Sequence, residues 1–107
     1  MENFSINITD GCYKDIKNIA DYISLVFLDD DLSNKVVLEL FADIKKLSYL
    51  APMFQLCENE LLSAKGIRKY RVKKYIVYYI IDESLKVVNV LRIRHSLQDE
   101  NKFFDKN

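Results

Sequence analysis

The side chains with chemistry to offer crowd into one stretch of this sequence. All four arginines, Arg68, Arg71, Arg92 and Arg94, lie between Gly66 and Asp99, interleaved with Tyr70, Tyr75, Tyr78 and Tyr79 and followed by the single histidine, His95. Between residues 65 and 95 there are nine Lys or Arg against two acids, Asp82 and Glu83, a surplus of seven positive charges (nine minus two). Guanidinium groups at this density suit an anion held through two parallel hydrogen bonds, whether carboxylate or phosphate. The bland alternative is the solvated face of a stable sheet, and the gathering of every arginine into two short segments argues against it. Histidine is the residue type for acid-base work near neutral pH. A lone histidine ending a strand, however, more commonly serves as a hydrogen-bonded structural residue. The tyrosines could stack on nucleic-acid bases, but at strand spacing packing is their commoner use.

Length and composition bound what can position these groups. At 107 residues, half of them apolar, the chain has the size of one globular domain, 1–107, with a continuous core. No apolar run reaches eighteen residues, and the opening MENFSINITD has neither a basic nor an apolar leader region, so a soluble, cytoplasmic protein without membrane contact is expected. Cys12 and Cys57 have no CxxC spacing, which predicts two reduced thiols used as small apolar groups, with no metal and no cofactor. Sixteen basic and sixteen acidic residues cancel overall, yet residues 1–54 carry five Lys and nine acids, and residues 55–107 carry eleven Lys or Arg and seven acids. That separation points to an anionic partner for the second half.

The elements follow from periodicity. Phe4, Ile6 and Ile8 alternate with polar residues as in an outer, half-buried strand. Thr9 or Asp10 can start a helix in which Ile16, Ile19, Ala20, Ile23, Val26 and Phe27 form one apolar face. Asp29, Asp30 and Asp31 interrupt that pattern and suit a helix start better than a divalent-metal site. A second helical pattern runs from Val36 to Leu50 and stops at Pro52. So short a link predicts an antiparallel helix hairpin. Residues 53–65 show no clear period. Ile67–Val72, Tyr75–Ile81 and Lys86–His95 read as an antiparallel meander whose middle strand, apolar or aromatic throughout, is covered on both faces. Alternation puts Arg68 with Tyr70 and Val72 on one face, Ile67, Lys69 and Arg71 on the other, and Arg92 and Arg94 on a common side. Phe103 and Phe104 stand out in an otherwise polar tail, which either folds back by one helical turn or stays loose.

This order of a strand, a helix pair and a basic meander resembles the RelE/ParE superfamily of small bacterial toxins. The resemblance spans residues 3 to 99 and rests on Asp15 and Tyr22-Ile23, Leu47 to Pro52, Ile67 to Val72, Tyr75 to Tyr79, Val90 to His95, and Gln98-Asp99. It implies the toxin of a type II toxin-antitoxin module, with a helix hairpin on one face of a mainly antiparallel sheet of about four strands, an α+β fold. A cognate antitoxin would wrap around hairpin and sheet, and an acidic antitoxin segment would satisfy Arg68, Lys69, Arg71, Lys73, Lys74, Arg92 and Arg94 as well as RNA would. Two activities compete within the superfamily, cleavage of mRNA on the ribosome by RelE-like members and inhibition of DNA gyrase by ParE-like members.

Cleavage through a 2'-hydroxyl needs a base, an acid and cations for the developing charge. RelE-like nucleases follow the middle-strand tyrosine with arginine and end the last strand in a Lys-Arg or His-Tyr pair. Here Ile76 follows Tyr75 and Ser96 follows His95. These departures favour the ParE-like reading, in which the chain has no active site of its own. In the nuclease alternative His95, Arg68, Arg71 and Arg92 would supply the catalytic groups, and a third reading is an inactive relative kept for antitoxin binding. Whether the free chain forms a homodimer is open at this stage.

Overall fold

The N-terminal alternation folds as expected. In the computed structural model, which describes residues 3–105, β1 (Ser5–Ile8) is an outer strand. Thr9 ends it, and its Oγ1 accepts the N–H of Cys12 to begin α1 (Asp10–Phe27). Leu28 then takes a left-handed conformation, φ 52°, and the Asp29 carboxylate accepts the N–H of Leu32 to begin α2 (Asp30–Lys45). Asp30 and Asp31 occupy the first turn, where the helix dipole favours acids, so the aspartate triplet is a helix start. The two helices are antiparallel. Ser33 near the start of α2 donates to the Ala20 carbonyl, and Phe41 near its end packs against Tyr13 at the start of α1, ring centroids 6.2 Å apart.

The second apolar pattern divides. Beyond Lys46 come a short α3 (Leu47–Leu50) and a 3-10 turn (Ala51–Met53) carrying Pro52. The stretch without a period holds an isolated bridge from Leu56 to Arg68, then α4 (Glu60–Ala64), which Asn59 caps through the N–H groups of Leu61 and Leu62. Gly66 closes α4 at φ 81°, a backbone conformation that disfavours any side chain.

The meander is β2 (Arg68–Val72), β3 (Tyr75–Asp82) and β4 (Val87–His95), and the sheet order is β1-β4-β3-β2. Among the described residues only β1 and β4 pair in parallel. One irregularity decides which β4 side chains enter the core. The β3–β4 register passes from Tyr78 opposite Arg92 to Tyr79 opposite Val90, which leaves Leu91 as an extra residue. Without it, Val88, Val90, Arg92 and Arg94 would share a face and carry both guanidiniums into the core. With it, Val88, Val90 and Ile93 face the hairpin, where they pack with Leu40, Ile44, Val77 and Tyr79. Arg94 turns to the opposite face.

That second face is covered too. Cys57, Leu62, Ile67, Ile76 and Tyr78 form a smaller core there, and Phe104 of α5 (Glu100–Asp105) packs against it. The tail thus takes the folded-back form, with its last two residues outside the described range. Among the described residues no helix is long and apolar enough to cross a membrane.

Candidate partner-binding site

Folding brings acids to four of the seven basic residues expected to bind an anion. Lys69 Nζ lies 3.2 Å from Glu100 and Lys73 Nζ 3.1 Å from Glu39. Arg92 meets Asp15 of α1 through two bonds, Nε at 2.7 Å and Nη2 at 3.0 Å, and its guanidinium stacks over Phe103. Arg94 is buried: it donates to the Tyr78 hydroxyl and to the carbonyls of His95, Ser96 and Gln98, with Glu100 3.7 Å away. Arg68 donates to the Phe54 carbonyl. Arg71 and Lys74 are exposed, Arg71 Nε donating to the Lys73 carbonyl.

The seven basic residues expected to meet an acidic antitoxin segment do not share one face. Lys69, Lys73, Arg92 and Arg94 each have an acid partner within the molecule, at the exposed surface in the case of Lys73, and Arg68 and Arg71 point to opposite faces of β2, as alternation requires. The set proposed for nuclease chemistry is divided likewise. His95 and Arg68 lie on the hairpin side and Arg71 on the other side, while Arg92, paired with Asp15, lines the same hollow as His95. The His95 ring is fixed by its surroundings, its Nδ1 accepting the N–H of Leu97 at 3.1 Å while the ring stands edge-on to Tyr75.

What the fold does assemble is a groove. Tyr22, Tyr75 and His95 stand where two hollows meet. One, about 850 Å³, runs between α1, the end of β4 and α5, with Asn18, Gln98 and Lys102 on its walls. The other, about 370 Å³, runs between the hairpin and the β2–β3 turn, with Ile23, Phe27 and Val72 in its apolar lining and Lys73, Lys74 and Glu39 among its polar residues. Tyr22 is 63% exposed, and Leu25, Val26, Phe27 and Leu28 beyond it are exposed too. Such a floor with basic groups at its edge fits the apolar face of an amphipathic segment whose flanks are acidic. Burial raises the Tyr75 phenol above its ordinary value, aided by nearby Tyr22, so Tyr75 serves as a neutral hydrogen-bonding and packing group.

Two residues that shape this region had uneven signals in the sequence. Asp15 stands three residues after Cys12 and beside Ile16, an acid inside an apolar stripe, which is a legible sign of a buried partner. Glu100 sits in a polar tail and gives no sign of its contacts.

The model of the family described as ParE toxin of type II toxin-antitoxin system, parDE, matches residues 6–100. No curated protein matches the chain. Among solved structures, the chain is similar to the chromosomal ParDE toxin-antitoxin system from P. aeruginosa, with TM-score 0.72 and 18% identity over 86% of this chain and 95% of that one. It is also similar to the toxin-antitoxin complex RelBE2 from Mycobacterium tuberculosis, with TM-score 0.58 and 21% identity over 87% of this chain and 98% of the other. At these identities the likeness shows the shared fold.

Proposed function

The chain belongs to the ParE toxin family of type II toxin-antitoxin systems, and from that premise we propose that it inhibits DNA gyrase in the cytoplasm and that its cognate antitoxin lies along the Tyr22–Tyr75–His95 groove. The observation that favours gyrase over mRNA is that Arg68 and Arg71 stand on opposite faces of β2 and that Asp15 engages Arg92, the one arginine of the set beside His95. A phosphoryl-transfer site needs its base and cations aimed at one reacting atom. Here Asp15 holds Arg92 through two bonds and Leu97 occupies the Nδ1 of His95. Inhibition by binding asks for no such convergence, only for an exposed surface.

The antitoxin assignment draws on the groove's composition. Its apolar floor continues onto the exposed side chains at the hairpin tip, and Lys74 beside it supplies charge for an acidic segment.

The purified protein, added to a gyrase supercoiling reaction and separately to a translating extract with a reporter mRNA, is expected to block supercoiling and leave the message intact. Codon-positioned cuts in the message with normal supercoiling would reverse the assignment to a RelE-like nuclease. Inactivity in both reactions would leave a domain that only binds antitoxin.

A further inference from the structure

The two edges of the sheet are finished differently. Along β2, Leu56 bridges to Arg68, Lys69 donates its N–H to the Gln55 carbonyl and Cys57 donates to that of Ile67. Lys69, Arg71 and Lys73 add charge there, and both devices keep a further strand from joining. The β1 edge has neither. Its residues Ser5, Ile6, Asn7 and Ile8 carry no charge, include no proline and pair with β4 without a bulge. Among the described residues no strand or isolated bridge lies beyond it. Ser5 and Thr9 donate their N–H groups to the carbonyls of Lys86 and Val90 on the β4 side, so Ile6 and Ile8, alternating with them, turn their backbone N–H and C=O groups outward. The side chains of both isoleucines are only partly buried against the core. The Ser48 carbonyl of α3 accepts the N–H of Phe4 at 2.7 Å, so the open edge is residues 6–8.

We propose that this edge is the contact between two copies of the chain, paired antiparallel about a twofold axis at Asn7, so that β1 joins β1 and two four-stranded sheets become one. The outward groups set the register. With Asn7 opposite Asn7, Ile6 of each copy and Ile8 of the other form a hydrogen-bonded pair, and every N–H and C=O that now points outward gains a partner. The same pairing covers the exposed parts of both isoleucines. On the second face the Asn7 amide, which donates to Asn89 at 2.8 Å, meets its own copy across the axis, so polar amides line up and no charge is buried. A second copy fits better than an acidic strand, which would find no cation among the β1 side chains, and a chain of net charge zero does not repel itself. Assembly stops at two, because the outermost strand at either end is then the guarded β2. So short an edge gives a weak dimer, with a dissociation constant on the order of tens of micromolar. No β1 residue lines either hollow of the groove, so pairing leaves both grooves open and does not depend on which target the toxin attacks.

Cross-linking tests the register in the full chain. Asn7 and Ser5 are both exposed and share a face, and the native Cys12 and Cys57 are buried and free. Asn7 and its copy form the closer, non-hydrogen-bonded kind of pair, with Cα atoms about 4.5 Å apart and within disulfide reach, whereas Ser5 lies opposite Thr9 and far from its own copy. In an oxidised-glutathione buffer Asn7→Cys is expected to form a covalent dimer about tenfold faster than Ser5→Cys. The backbone bonds are tested without altering a side chain. A synthetic thioester of residues 1–11 joined at Cys12 to residues 12–107 rebuilds the full chain with N-methyl groups on Ile6 and Ile8, which remove the outward N–H donors and spare the β4 ladder. Sedimentation velocity across a concentration series is expected to show the unmethylated chain passing from monomer to dimer and the methylated chain dimerising at least about tenfold more weakly. A chain that stays monomeric throughout, equal cross-linking at the two positions, or a dimer that survives methylation would each overturn the proposal.

Discussion

Asp15 decides what Arg92 is for. Its carboxylate accepts from the Nε and Nη2 of the guanidinium and also from the N–H of Ile93 at 2.9 Å, on the part of β4 that runs past the end of β1. One acid on a helix thus closes a strand edge and pairs a half-buried cation. Asp15→Ala would leave an N–H and a charge without their partner, and is expected to cost about 2–3 kcal/mol in urea unfolding. That is less than the loss of a wholly buried pair, because the Arg92 side chain keeps 33% of its exposure. Asp15→Asn retains one acceptor and should lose less. At this scale residue types and spacings were legible in the chain, and partners were not. A count of nine cations against two acids in one stretch carries no information about Asp15, Glu39 or Glu100, which come from outside that stretch.

At the scale of elements, the strand alternation, the hairpin and its aspartate start were legible because each rests on local chemistry: period two, period 3.6, and a side chain that accepts its own backbone. The Leu91 bulge was not, since one extra residue in a β-rich run alters the register without altering composition. Nor was the docking of α5, whose main tie spans 22 residues from Tyr78 to Glu100. That tie has a pH signature. Burial pushes the Glu100 carboxyl up, but the hydrogen bonds from Tyr78 and Lys69 and the charges of Lys69 and Arg94 outweigh it and hold the group below its ordinary value. A carboxylate depressed in the folded state adds stability that is present above its unfolded value, about 4.3, and is lost as the pH falls through the lower folded value. The NMR shifts of the Phe104 ring are therefore expected to move toward free-chain values in that acidic window. In Glu100→Gln they should already be displaced at neutral pH and show no titration from this site.

Over the whole molecule, opposite charge in the two halves serves two ends. Part of it is used inside, where Asp15 and Glu39 of the acidic half meet Arg92 and Lys73 of the basic half. The rest, including exposed Arg71 and Lys74, is left to act on partners from a distance. Lys74→Glu, at the groove's edge, is expected to slow antitoxin association and flatten its dependence on salt, as measured by stopped flow across a series of ionic strengths. An association rate insensitive to both would remove the groove from the antitoxin's path. The parallel pairing of β1 with β4 carries a consequence of a different kind. Ser5 meets Val87, and Thr9 bonds to Val90, so the first strand made must wait for the last. With synthesis at about 5–20 residues per second, the interval lasts several seconds. Through all of it a nascent chain has neither a finished sheet nor a finished groove. A partner that reads the finished groove thus has nothing to bind until β4 has been made.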